Sequence, residues 1–344
     1  MASRRFRSFP ALTPGLGKLL RSSAKLTRAA LKQGAAVARQ AQAVVKTPEV
    51  SSAGRPRGRF VQVEGIRVHC IVRGRGRPVV LLHGNGTMAE DFVLCGLLDQ
   101  LAARYRVIAV DRPGFGRTKR PRHRLWTAAA QAHLVAGVLA RLKVERPVVV
   151  AHSWGTLVAL SLAAQNACDL RGLVLLSGYF FPEQRADLAL SAPLAVPGYG
   201  DTARAVMPLP MRELMARQAF RHVFSPQSVP ARFKTRFPVE IALGREQLRA
   251  CAEDTASMNS AAAWLHPHYR HLKVPLVIMA GDADRIVDTA AHSCRLHREA
   301  PESTLTVLPG KGHMIHYFAK SGIGRAVDGL MDPAGRPRAR RTRS

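Results

Sequence analysis

Two kinds of apolar pattern alternate along this chain from residue 60 onward. Residues 60–63 alternate apolar and polar, and residues 66–72 do so again across Gly65. That spacing predicts an antiparallel two-stranded hairpin at a sheet edge. Residues 78–82, 105–110, 147–150 and 170–176 are instead short, nearly unbroken apolar runs. Between them, residues 89–103, 126–142 and 153–165 carry the longer periodicity of helices. A strand buried on both faces needs no polar alternation. The order therefore predicts an α/β fold, a mostly parallel central sheet with helices on both faces. The pattern breaks over 180–269, a stretch rich in prolines and methionines with helical pieces and no strand. Apolar runs return at 275–280 and 303–308. The block 180–269 thus reads as a helical cap, or lid, inserted into a core of 60–179 and 270–330. It follows a strand, on the side where ligands bind in open α/β sheets. An apolar, Met-rich cap suits the roof of a hydrophobic pocket.

The chain has 344 residues and a formal net charge of +29. Much of that excess lies outside the predicted core. The first 48 residues hold ten Lys or Arg and no acid, and the last nine hold five arginines. In residues 1–50, Lys18, Lys25, Lys32, Arg39 and Lys46 recur every seven positions, opposite Leu16, Leu20, Leu31 and several alanines. Three readings of this arm stand. It is a basic amphipathic helix over 16–46 contacting an anionic membrane surface, a solvated disordered arm, or an organellar transit segment. Residues 51–59 form a linker and 331–344 a basic tail. No apolar run is long enough to span a membrane, and no standard secretory signal leads the chain. The expected location is the cytoplasm, free or peripheral on the inner face of a membrane. Five widely spaced cysteines without a CxxC argue against a disulfide framework or a cysteine metal site. Nucleic-acid binding would rest on charge alone, so no specific binding is expected. No cofactor and no metal is implied.

The chemistry gathers at strand ends. The run 148–150 leads into Ala151-His152-Ser153-Trp154-Gly155 and then a helix. A serine on so tight a strand-to-helix turn either caps the helix or presents its hydroxyl as a nucleophile beside helix N-terminal N–H groups. A large side chain two positions either side of it would collide, which accounts for Ala151 and Gly155. A serine nucleophile needs an imidazole base, and the imidazole an acid on its far nitrogen. Residues 281–284, Gly-Asp-Ala-Asp, follow one late strand, and residues 312–313, Gly-His, follow the last. The order Ser153, Asp284, His313 suits this strand arrangement.

With these residues in view, the chain resembles the α/β-hydrolase superfamily in its lidded serine esterase and lipase-like branch, over roughly residues 60–330. The motifs that carry the resemblance are His83-Gly84, the Asp-x-x-Gly-x-Gly turn from Asp111, the nucleophile elbow around Ser153, Gly-x-x-Asp ending at Asp284, and Gly312-His313. Ala151 stands where the family usually has the first glycine of its elbow. The resemblance implies a catalytic triad of Ser153, Asp284 and His313, with Asp282 a turn or capping residue. It implies an oxyanion hole from the backbone N–H groups of Asn85 and Trp154, and a substrate pocket lined by Gly84, Asn85, Trp154 and His316. His152 is a neighbour of the elbow rather than the base, and Asp111 and Arg112 brace the loops beneath. The implied activity is hydrolysis of a carboxylic ester of a small to medium hydrophobic substrate through an acyl-enzyme. Alternatives on the same triad are carbon–carbon bond or thioester hydrolysis and cofactor-free haloperoxidase-like chemistry. Dehalogenases and epoxide hydrolases of the superfamily need an aspartate nucleophile, against which Ser153 argues. A non-catalytic hydrolase-like binding protein, attached to a membrane or polyanion through its basic ends, is the alternative from another class.

Overall fold

A computed structural model describes residues 58–184 and 194–332. The arm 1–50, most of the linker 51–59, residues 185–193 of the cap and most of the tail 331–344 lie outside the described residues.

The hairpin pattern becomes β1 (Arg59–Val63) and β2 (Ile66–Arg73), paired antiparallel. β3 (Pro78–Leu82) is followed by α1 (Glu90–Leu94) and α2 (Leu97–Ala102), then β4 (Arg106–Val110), α3 (Ala128–Arg141), β5 (Val148–His152), α4 (Gly155–Ala164) and β6 (Gly172–Leu176). The cap comprises α5 (Tyr199–Val206), α6 (Leu209–Phe224), α7 (Ala231–Arg236), α8 (Val239–Ala242), α9 (Arg245–Ala256) and α10 (Met258–Leu265). The chain closes with β7 (Leu276–Gly281), α11 (Arg295–Glu299), β8 (Ser303–Leu308), α12 (Ile315–Phe318) and α13 (Lys320–Met331). Two boundaries differ from the sequence pattern. The helix expected over 89–103 breaks into α1 and α2, because Gly96 between them takes a left-handed φ of 79°. β5 runs to His152, two residues past the apolar run, so Ser153 directly follows the strand.

The eight strands are ordered β1-β2-β4-β3-β5-β6-β7-β8. β2 is antiparallel to both neighbours, and the remaining pairs are parallel. Successive residues of the central strands alternate between two cores. Val80, Leu82, Val149, Ala151, Leu173 and Leu175 pack with α3 and α4. Val79, Leu81, Val148, Val150, Val174 and Leu176 pack with α1, α2 and α13. All five residues of β5 are buried, which is why no polar alternation marks that strand. A third, smaller core of Phe224, Phe233 and Phe237 from the cap with Met88, Leu94 and Met314 seats the cap on the sheet's loops. From β3 the chain adds β4 on one side and then crosses to add β5 on the other. The C-terminal ends of β3 and β5 therefore flank a topological switch point, where the connecting loops part and leave a crevice.

Candidate active site

Ser153 occupies that crevice. Its φ is +52°, a left-handed conformation that costs a non-glycine residue about 1–3 kcal/mol. The turn is held by its N–H on the Leu176 carbonyl of β6, at 2.9 Å. Close packing explains its neighbours. A Cβ on Gly155 would stand 2.6 Å from the His83 carbonyl oxygen and 2.7 Å from that of Leu82, so α4 can start this near β3 only with glycine there. A Cβ on Gly84 would lie 3.1 Å from Ser153 Cβ, so the loop after β3 runs directly beside the serine.

The ends of β7 and β8 bring two further side chains to it. Ser153 Oγ donates to His313 Nε2 at 2.9 Å, and His313 Nδ1 donates to Asp284 Oδ2 at 2.8 Å. The other oxygen of Asp284 accepts the backbone N–H groups of Ile286 at 2.8 Å and Val287 at 3.0 Å. Burial opposes ionisation of Asp284, but the charge and hydrogen bond of His313 and these two N–H donors outweigh it. The carboxyl is held below the usual range. Asp282 faces away, its Oδ1 accepting the Gly310 N–H at 2.6 Å as a turn residue.

The loop after β3 is pinned by a neutral imidazole. His83 is fully buried. Its Nδ1 donates to the Gly84 carbonyl at 2.8 Å while its Nε2 accepts the Arg112 N–H at 3.0 Å. Burial and the neighbouring Arg112 charge push its pKa down to about 3. Asp111, also buried, accepts from Ala89 N–H at 2.7 Å, Arg117 N–H at 3.0 Å and His69 Nδ1 at 2.7 Å. The bracing expected of Asp111 and Arg112 is thus visible bond by bond.

The remaining residues singled out from sequence are placed as follows. The Asn85 side chain is committed to the cap and its own loop. Its Nδ2 donates to the Cys251 carbonyl and to Thr255 Oγ1, and its Oδ1 accepts the Gly86 N–H. Trp154 is fully buried, with Nε1 donating to the Asp254 carbonyl at 2.9 Å. His152 donates from Nε2 to the His313 carbonyl at 3.1 Å, and its ring centroid lies 4.9 Å from that of His313 and 4.4 Å from that of His316. Burial, with the neighbouring imidazoles, lowers its pKa well below the ordinary histidine value. His316, read from sequence as a pocket residue, is fully buried in α12 with Nε2 on Asp91 Oδ2 at 2.9 Å. Asp91 also accepts from the Tyr317 hydroxyl at 2.5 Å. α12 thus turns His316 inward, onto Asp91. Asp91, Gln247 (whose Oε1 accepts the Gly116 N–H at 2.9 Å) and Asp254 carried no sequence signal. Each lies in a helical stretch where a polar residue ordinarily faces solvent, and only the tertiary partner reveals it. Among the described residues no group of three or more His, Cys, Asp or Glu is disposed to hold a metal ion.

Comparison with known proteins adds to this geometry. The alpha/beta hydrolase family matches over residues 79–321. The 2-hydroxy-6-oxo-2,4-heptadienoate hydrolase of Pseudomonas putida is 27% identical over 278 residues, covering 80% of this chain and 96% of that protein. Haloalkane dehalogenase 2 of Mycobacterium tuberculosis is 29% identical over 116 residues, 34% of this chain, and the match spans only 40% of that relative's length. Among solved structures, the meta-cleavage product hydrolase of Pseudomonas fluorescens superposes with a TM-score of 0.60 at 21% identity, covering 81% of this chain and 98% of that one, a likeness of fold. The family match runs from β3 into α13, through every loop that carries Ser153, Asp284 and His313, and the chain belongs to the alpha/beta hydrolase family.

Proposed function

We propose that this protein is a serine-dependent hydrolase that cleaves a carbon–carbon bond beside a carbonyl group in a small oxo-acid. The observation that carries the serine chemistry is the hydrogen-bonded series Ser153, His313, Asp284, with Ser153 held at positive φ. In this reading His313 takes the Ser153 proton as Oγ bonds to the carbonyl carbon, and Asp284 balances the imidazolium. The Asn85 and Trp154 N–H groups receive the oxyanion. When the intermediate collapses, the carbon–carbon bond breaks and its electron pair leaves with the departing carbon, which takes the proton back from His313. Water, deprotonated by His313, then releases the acyl group as a carboxylic acid. A carbanion leaves readily only when conjugated to an electron-withdrawing group, so the leaving fragment is one whose charge spreads into a dienoate or keto acid.

The similarity to a heptadienoate hydrolase through core and cap together favours this bond over an ester. The same three residues would serve a hydrophobic ester, and that remains the second reading. One assay separates them. Purified protein and its Ser153→Ala variant are given 2-hydroxy-6-oxo-2,4-heptadienoate, followed by its absorbance, and p-nitrophenyl butyrate in parallel. Turnover of the dienoate that vanishes in the variant is the expected result. Turnover of the ester alone transfers the assignment to an esterase, and full activity in the variant removes the serine mechanism.

A further inference from the structure

The cap reaches the reacting centre through the last turn of α9. Asp254, on that turn, is fully buried. Its Oδ2 accepts from Arg112 Nη1 at 2.6 Å, and its Oδ1 from Arg120 Nη1 at 2.9 Å and Gln131 Nε2 at 3.0 Å. Its backbone carbonyl is the acceptor for the Trp154 indole. On the same turn, Thr255 Oγ1 and the Cys251 carbonyl take the two bonds from Asn85 Nδ2, at 2.9 and 3.1 Å. Arg112 in turn donates from Nε to the His83 carbonyl and from Nη2 to the Gly84 carbonyl, both at 3.0 Å. Its guanidinium carbon lies 4.5 Å from the Trp154 ring centroid.

Peptide planarity turns these bonds into an orientation. The Gly84 carbonyl and the Asn85 N–H belong to one trans peptide and point in opposite directions. Arg112 Nη2, together with His83 Nδ1 at 2.8 Å, draws the carbonyl to one side and so aims the N–H to the other, in a loop that runs beside Ser153. Both residues that supply oxyanion donors in the reading above, Asn85 and Trp154, are therefore tied to a single turn of the cap. A buried Arg–Asp–Arg cluster is a poor device for stability alone, because desolvating the three charges consumes most of their attraction.

We infer that Asp254 is a positioning residue for oxyanion stabilisation. Through Arg112 it sets the Gly84–Asn85 peptide, and through its own carbonyl it seats Trp154, so the charge-stabilising geometry depends on the cap helix. The inference rests on Ser153 being the nucleophile. The test is the rate at which a fluorophosphonate labels the purified full-length protein, resolved into kinact and KI. In that reaction the Ser153 Oγ–P bond forms, the P–F bond breaks, fluoride leaves and His313 takes the proton. The phosphoryl oxygen occupies the oxyanion position.

Wild type is expected to label and Ser153→Ala not to. In Asp254→Asn, kinact should fall on the order of tenfold to a hundredfold, somewhat less than loss of a whole donor, with KI unchanged. Thr255→Val removes one Asn85 acceptor without touching the buried charges, and its kinact should fall by roughly threefold to tenfold. Thermal stability of each variant is measured beside the rate, since a merely structural residue would lower Tm and leave kinact of the folded protein alone. Wild-type kinact in Asp254→Asn overturns the positioning role. If that variant does not fold, wild-type kinact in Thr255→Val overturns it. Labelling of Ser153→Ala, or none of the wild type, overturns the serine reading itself and this inference with it, so the two failures are distinct.

Discussion

Ser153 shows what one residue can hold. Its φ of +52° is unfavourable for a side chain with a Cβ, yet neighbouring contacts over-determine it: the N–H on Leu176, the glycine two positions on, and His313 at 2.9 Å. Strain retained at such a point lifts the hydroxyl clear of the strand and opens it to the crevice. The far end of the series is open to a separate test. Replacing Asp284 by Asn keeps the shape but removes the charge that balances the imidazolium and selects its tautomer. The expected outcome is a fall in kcat on the order of 10³- to 10⁴-fold with little change in KM, read by steady-state kinetics on whichever of the two test substrates the wild type turns over. A loss smaller than tenfold would mean that another acid serves His313.

His83 gives a second prediction at this scale, on stability rather than rate. Its folded pKa, pushed from the ordinary 6.5 down to about 3, means that the folded protein prefers the neutral ring. The stabilisation is therefore complete above about pH 6.5 and is lost as pH falls toward 3, with a slope of at most ~1.4 kcal/mol per pH unit. Protonation would also place an N–H where Nε2 now accepts the Arg112 N–H. The urea midpoint, measured from pH 7 to 4, should fall less steeply in His83→Asn than in wild type. Parallel curves for the two proteins would place the acid sensitivity elsewhere. His152, also buried and lowered, acts with the same sign and keeps the difference from being total.

At the scale of elements, the distance between α4 and β3 is set by Gly155. A methyl there would overlap the carbonyl oxygens of Leu82 and His83, backbone atoms at the end of a central strand and the start of its loop that cannot move aside. Gly155→Ala should destabilise the fold by about 1–3 kcal/mol, the range of overpacked cores, as read by denaturant unfolding. An unaltered midpoint would show that the helix start can slide along the sheet. The helix pair α1 and α2 carries a different lesson. Sequence periodicity ran through Gly96, but the left-handed glycine turns the chain and lets Asp91, on the first of the two helices, meet His316 and Tyr317 at the far end of the chain. No local rule announces a pairing across more than 200 positions, because hydrophobic period reports only which face is buried and not what is buried against it.

At the scale of the whole molecule, charge separates from chemistry. The described residues include no helix long and apolar enough to cross a membrane. The acid-free first 48 residues lie outside the described residues and outside the family match. We propose that residues 16–46 attach the protein to an anionic membrane surface, with roughly 1 kcal/mol of attraction per basic residue near the headgroups. Deleting residues 1–50 should abolish sedimentation with phosphatidylserine-containing vesicles and leave turnover of the soluble substrate as it was. Undiminished vesicle binding by the shortened protein would move the attachment into the core.

The succession of strands and helices along the chain, the inserted helical block and the position of Ser153, Asp284 and His313 just past strands were legible in the sequence because each is written locally, whereas the order of the strands within the sheet was not. An apolar run marks a doubly buried strand, and a serine, an acid or a histidine just past such a run lies at the sheet's ligand-binding edge whatever the rest of the chain does. The family resemblance also implied Asp111 and Arg112 as bracing residues. Three-dimensional contact alone decided the remainder. It committed the Asn85 side chain to Cys251 and Thr255. It buried His316 against Asp91, and it placed Asp254 of the cap between Arg112 and Arg120. These are pairings between distant segments, whose hydrogen bonds and charge attraction must offset the cost of removing each polar group from water. Each partner, taken singly along the chain, looks like any other polar residue on a helix.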